Sequence, residues 1–156
     1  MLNLPSFKAA AVQAAPVFLN TEATVTKACN LIAEAAGNGA KLIAFPEVFI
    51  SAYPYWSWVM NPVEGSPWFE KLVRSAIELP GPEIHRIAQA AKEHAVNVVI
   101  GVNERSRYGV STIYNTLVFI NDQGRVIGRH RKLVPTWAEK LTWANGDGQS
   151  LRVYDT

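Results

Sequence analysis

The chain has 156 residues, 49% hydrophobic and 18% charged, with a formal net charge of +2. That suits one globular domain with its own core, excludes a disordered chain, and gives no argument for a polyanionic partner. No apolar run approaches the roughly 20 residues that cross a bilayer, Met1 to Lys8 carry no secretory pattern, and a single cysteine excludes an internal disulfide framework, so a cytoplasmic protein with no membrane and no nucleic-acid partner is expected.

Phe7 to Ala15 is a short apolar run ending at Pro16 and predicts a buried strand. Asn20 or Thr21 can cap the helix that follows, with Glu22 in its first turn favouring the positive end of the dipole. Val25, Cys29, Ile32 and Ala36 recur at helical spacing, and Gly37 with Gly39 supplies the stop. Lys41 to Phe45 predicts a second strand. Strand, helix, strand implies a parallel pair with a right-handed crossover.

An aromatic loop follows, with Tyr53, Pro54, Tyr55, Trp56 and Trp58. Ser66 and Pro67 predict the N-cap and first turn of a helix striped by Phe69, Leu72, Val73, Ala76 and Ile77. Leu79-Pro80-Gly81-Pro82 breaks it, and Pro82 opens another helix with Ile84, Ile87, Ala88, Ala91 and Ala95 inward. Val96 to Val102 and Ile113 to Ile120 predict two more strands. The turn Asn121-Asp122-Gln123-Gly124 lets Arg125 to His130 return antiparallel. Trp137 to Gly148 reads as a polar-aromatic loop, and Leu151 to Tyr154 alternates like a strand. The stop at Asp155-Thr156, with no cap or turn behind it, reads as a cut through a fold.

Two positions carry candidate chemistry. Glu47 follows Leu42-Ile43-Ala44-Phe45-Pro46, just past a strand's carboxyl end, where open α/β sheets bind ligands. It can act as a general base there; the plainer alternative is a surface glutamate. Lys132 lies in Arg129-His130-Arg131-Lys132, where strand alternation puts His130 and Lys132 on one face and the two arginines on the other. One pair can point into a site while the other meets water. No aromatic stacking platform interleaves with this run, which argues against nucleic acid. Glu139, seven residues on, can orient the lysine or a substrate, or pair weakly with Lys140. Cys29 lies on an apolar helix face, and buried structural cysteines are usually inert. His85, His94 and His130 have no metal-ligand spacing, so no metal site is expected.

The stretch from Phe45-Pro46-Glu47-Val48-Phe49 to Ile50-Ser51-Ala52-Tyr53-Pro54 resembles the glutamate motif of the nitrilase branch of the carbon–nitrogen hydrolase superfamily. The stretch from His130-Arg131-Lys132 to Leu133-Val134-Pro135-Thr136-Trp137-Ala138-Glu139 resembles its lysine motif. Tyr114-Asn115-Thr116 and Gly146-Asp147-Gly148 are similar to further landmarks in the expected order. The resemblance runs from about Phe7 to Thr156 and implies an α/β fold, the α-β-β-α sandwich, present here as its N-terminal portion. It implies a Glu-Lys-Cys triad with Glu47 as general base, Lys132 as the stabilising cation and Glu139 as a positioning partner. The family's cysteine motif has no match in this chain and is expected beyond Thr156, so the 156 residues alone are expected to be inactive and prone to aggregate. No metal or organic cofactor is implied. The implied substrate is a small nitrile, with an amidase, a cyanide-converting relative or a non-catalytic half-domain as alternatives, and the whole protein is expected to be a homo-oligomer. Tyr53, Trp56 and Trp137 are the candidate walls of a substrate pocket, or packing residues of a core or subunit contact.

Overall fold

The structure, a computed structural model, describes residues 6–156. The reading of the N-terminus rests partly on Met1 to Pro5, which lie outside the described residues. Strands β1 (Ala9–Ala11), β2 (Leu42–Ala44), β3 (Asn97–Arg105), β4 (Ile113–Ile120) and β5 (Val126–Arg131) form one sheet in that spatial order. The first three run parallel; β4 returns antiparallel to β3 and β5 antiparallel to β4. Helices α1 (Thr21–Gly37), α2 (Trp56–Val59), α3 (Pro62–Ser75) and α4 (Pro82–Glu93) complete the elements, with 3-10 turns at Trp137–Leu141 and Gly148–Ser150. Among the described residues no helix is long and apolar enough to cross a membrane.

Helices α1 and α4 cover one face of the sheet. Val25, Ala28 and Ile32 of α1 and Ile84, Ile87 and Ala91 of α4 meet Ile43, Val98, Ile100, Val102, Val118 and Ile120, all buried. Each such isoleucine or valine is worth about 1.5–3 kcal/mol removed from water. On the other face Leu42, Val99, Leu117 and Phe119 remain half-buried. A second core, Val48, Trp56, Leu72, Ala76, Ile113 and Trp143, lies under the loops at one edge of the sheet.

Asn20 caps α1, its side chain accepting from the Ala23 N–H at 3.0 Å. Helix α3 starts before Ser66: the Asn61 side chain accepts from the N–H groups of Val63 and Glu64, and Pro62 takes the first turn. Asn61-Pro62 therefore outcompetes Ser66-Pro67, and Pro67 sits inside the helix. Ala76 and Ile77 lie beyond its end, where Ile77 bridges Glu104 in parallel. That bridge and a second one, Ile50 to Val102, accompany the extension of β3 to Arg105, past the expected Val102. Ala95, with φ +49°, follows α4 in the turn into β3. The first strand is shorter than its apolar run. The expected strand Leu151 to Tyr154 does not form; the segment hydrogen-bonds locally and lays Tyr154 against Phe119, ring centroids 5.0 Å apart. Alternation supplies a face, but a strand also needs a partner edge.

Candidate active site

The topology gathers one edge of the sheet. Strands β2, β3 and β5 all end there, and β4, running the other way, begins there. Glu47 leaves the end of β2, Asn103 lies near the end of β3, Asn115 near the start of β4, and Lys132 follows β5. Register puts Asn103 opposite Asn115, and the Lys132 N–H donates to the Asn115 carbonyl at 2.8 Å.

Gly101 is what lets Glu47 approach. A Cβ at that position would lie 2.4 Å from both the Pro46 carbonyl oxygen and the Val48 nitrogen. The loop rides directly on β3, with the Ile50 N–H donating to the Gly101 carbonyl. At the other strand, the Gly146 N–H donates to the Lys132 carbonyl, and a Cβ on Gly146 would meet Arg131 and Lys132 backbone below 3 Å.

Lys132 sits between two carboxylates. Its Nζ is 3.1 Å from Glu47 Oε1 and 2.8 Å from Glu139 Oε2. Glu139 is buried and also accepts from the Tyr53 hydroxyl at 2.8 Å and from the Thr136 N–H, so it closes the turn as a capping-box carboxylate. Burial works to raise the Glu139 carboxyl, but the hydrogen bonds from Lys132, Thr136 and Tyr53 outweigh it and hold the pKa below its ordinary value. Burial likewise opposes the Lys132 charge; hydrogen bonds to Glu139 and Glu47 win and raise its pKa. Tyr53 is pushed up to about 12 by burial and then by its bond to Glu139. The arrangement holds one fixed ammonium, a buried carboxylate that neutralises it, and a more open carboxylate, Glu47, beside it.

The aromatic candidates separate. Tyr53 belongs to the carboxylate network, also accepting from Trp58 Nε1 at 3.0 Å. Trp137 is exposed and packs edge-on against Trp58, centroids 5.3 Å apart. Trp56 is buried in the second core, stacked on Trp68, and lines a cavity of about 160 Å³ with Met60, Phe69 and Leu141. Cys29 is half-buried instead of fully so; it packs against the helix-covered core, and burial raises its thiol pKa, which disfavours a thiolate.

Alternation holds at β5, with a different outcome for the arginines. Arg129 and Arg131 turn to the other face and bind the buried carboxylate of Glu104 at 2.7 and 2.6 Å, with Thr116 Oγ1 donating to it as well. Sequence reasoning missed Glu104, Asn103 and Trp143, and marked Asn115 only within the Tyr114-Asn115-Thr116 landmark, with no role. Asn115 donates to Glu47 Oε1 at 2.6 Å. Trp143 Nε1 donates to Asn103 Oδ1 at 2.8 Å, and its ring lies 5.9 Å from Lys132 Nζ. Polar residues inside otherwise apolar strands were the signal available for the three strand residues.

The carbon-nitrogen hydrolase family pattern matches residues 8–156. A bifunctional nitrilase/nitrile hydratase of Nicotiana tabacum is 43% identical over 159 aligned residues, covering 99% of this chain and 45% of the relative. A nitrilase of Bacillus sp. (strain OxB-1) is 40% identical over 156 residues, covering 100% of this chain and 45% of that protein. The chain thus spans under half the length of these relatives. Among solved structures, the amidase from Nesterenkonia sp. AN1 superposes with a TM-score of 0.67 at 17% identity, over 91% of this chain and 50% of that one. A Saccharomyces cerevisiae member of branch 10 of the nitrilase superfamily gives 0.65 at 22%, over 85% and 45%. The five-stranded sheet and its helices are therefore the nitrilase-superfamily α/β fold over the part this chain spans, and the chain belongs to the carbon-nitrogen hydrolase family.

Proposed function

We propose that the whole protein hydrolyses the carbon–nitrogen bond of a small nitrile to a carboxylic acid and ammonia, with Glu47 as general base and Lys132 as anion stabiliser. The observation that carries this reading is the ammonium of Lys132 held between Glu47 and Glu139 at the sheet edge. In this reading a cysteine thiol, outside these 156 residues, gives its proton to Glu47 and attacks the nitrile carbon. Negative charge develops on the nitrile nitrogen, where a fixed ammonium contributes about 3 kcal/mol of stabilisation. The nitrogen takes up a proton, giving a thioimidate. Water adds, ammonia leaves, and the resulting thioester is cleaved by a second water, returning the thiol. No cofactor enters these steps. Glu139 holds Lys132 and keeps it charged. Tyr53, bonded to Glu139, and Trp137 wall the approach, while Trp56 packs on Trp68 in the second core.

The same reading takes the whole protein as a cytoplasmic homo-oligomer. Exposed Tyr55, Val59, Val63 and Leu141 offer apolar surface for self-contact.

The test is ammonia and acid release from a panel of nitriles and amides by the full-length protein, its Glu47→Gln and Lys132→Ala variants, and residues 1–156 alone. Nitrile hydrolysis reduced at least about 100-fold in both variants, with background release from the 156 residues, supports the reading. Parental activity in Lys132→Ala, or turnover by residues 1–156 with their one cysteine, overturns it. Amide turnover without nitrile turnover assigns the site to the amidase reading instead.

A further inference from the structure

We infer that Asn115 is the positioning residue that aims the base, a role that rests on Glu47 being that base. Asn115 is 5% exposed near the start of β4 and touches both partners of the site at once. Its backbone carbonyl accepts from the Lys132 N–H at 2.8 Å, and its side-chain amide donates to Glu47 Oε1 at 2.6 Å. Lys132 Nζ donates to that same oxygen at 3.1 Å.

Glu47 needs such a guide. Its carboxylate stands on a loop, not on a strand, and 46% of its side chain is exposed. Without a fixed donor it would sample several rotamers, each losing the geometry a proton transfer requires. Lys132 alone is a poor guide, because an ammonium on a four-carbon stem is a point charge with rotatable donors. A planar amide on a short side chain, itself on a strand, fixes direction as well as distance. With Oε1 occupied by both donors, Oε2 is the oxygen left to take a proton. The register of β4 against β5 then sets the height of the base and the cation from one residue.

The experiment compares full-length protein with Asn115→Ser, whose hydroxyl is too short to reach Glu47, and the near-isosteric Asn115→Asp, which cannot donate when ionised. The expected result is kcat for nitrile hydrolysis lowered about 100-fold, with KM within about threefold of the parent. Asn115→Gln, which keeps an amide donor, should recover about tenfold of that loss. Crystal structures of the Ser and Asp variants should show Glu47 turned away from Lys132. Parental kcat in both variants, or Glu47 unmoved in both structures, overturns the inference. Should the unsubstituted protein hydrolyse neither nitriles nor amides, the catalytic reading of Glu47 fails by itself. The two variant structures then decide separately whether Asn115 places the carboxylate.

Discussion

The Tyr53 hydroxyl donates to Glu139 Oε1 at 2.8 Å, joining the loop after β2 to the turn after β5. These are the segments that carry Glu47 and Lys132. The bond therefore ties two loops that chain connectivity leaves 86 residues apart.

Tyr53 should ionise late, near pH 12. Its pKa is raised on folding, so its contribution to stability is complete below its ordinary value of 10 and is lost as pH rises from there towards 12. Ultraviolet titration of the tyrosinates should show a late phase that Tyr53→Phe removes. A late phase that survives the substitution would place the perturbed phenol elsewhere.

Glu139→Gln should lower the stability of the folded protein by about 1–2 kcal/mol at neutral pH, since Lys132 loses its buried partner but stays partly solvated. Glu139 has its pKa lowered on folding, so the parent keeps this contribution above 4.5 and loses it as pH falls below that value. Lys132, raised on folding, keeps its share below 10.5 and loses it above. Melting temperatures of parent and variant should therefore differ between those limits and converge in acid. A gap that stays constant into acid would detach Glu139 from the ion pair.

Gly101→Ala should abolish most activity while leaving the helix-covered core intact. The added methyl would lie 2.4 Å from two backbone atoms of the Glu47 loop, so the loop must lift. A displacement of about 1 Å at a reacting group costs on the order of 100-fold in rate. The measurement is kcat of the full-length variant beside its melting curve; full activity would show that the loop can slide without moving its carboxylate.

Glu104→Gln should be among the most destabilising single changes outside the apolar core. It leaves Arg129 and Arg131 without the buried carboxylate that both bind. Removing one partner from such a pair costs about 3–5 kcal/mol when fully buried, and about 2–3 here because Arg129 is half exposed. Urea unfolding of parent and variant gives the difference, and a shift below about 0.5 kcal/mol would make the cluster a surface ornament.

The helices α1 and α4 and the strand β4 were legible because their apolar periodicity is long and is bounded by capping or breaking residues. Glu47, Lys132 and Glu139 were legible as types and as motif positions, and the structure brings the three together. At α3 the Asn61-Pro62 signal that starts the helix, five residues before the expected Ser66-Pro67, went unread. Trp56 illustrates a second gap: an aromatic residue in a loop gives no sign of whether it faces a pocket or a core. Asn115 and Glu104 show a third. Their partners are 68 and 27 or fewer residues away, and only the strand register brings them into reach.

The antiparallel return of β5 has a consequence for which cation the chemistry receives. Thr116 is paired with Arg131, and the next residue, Lys132, falls beside Asn115. Side chains alternate faces along a strand, so a slip of one residue would exchange the two. The site would then be offered a broad planar guanidinium, and the lysine would be sent to Glu104 on the other side. The hairpin that begins at Asn121 is in this sense a selector, choosing by counting residues which of two adjacent positive charges is delivered to the edge.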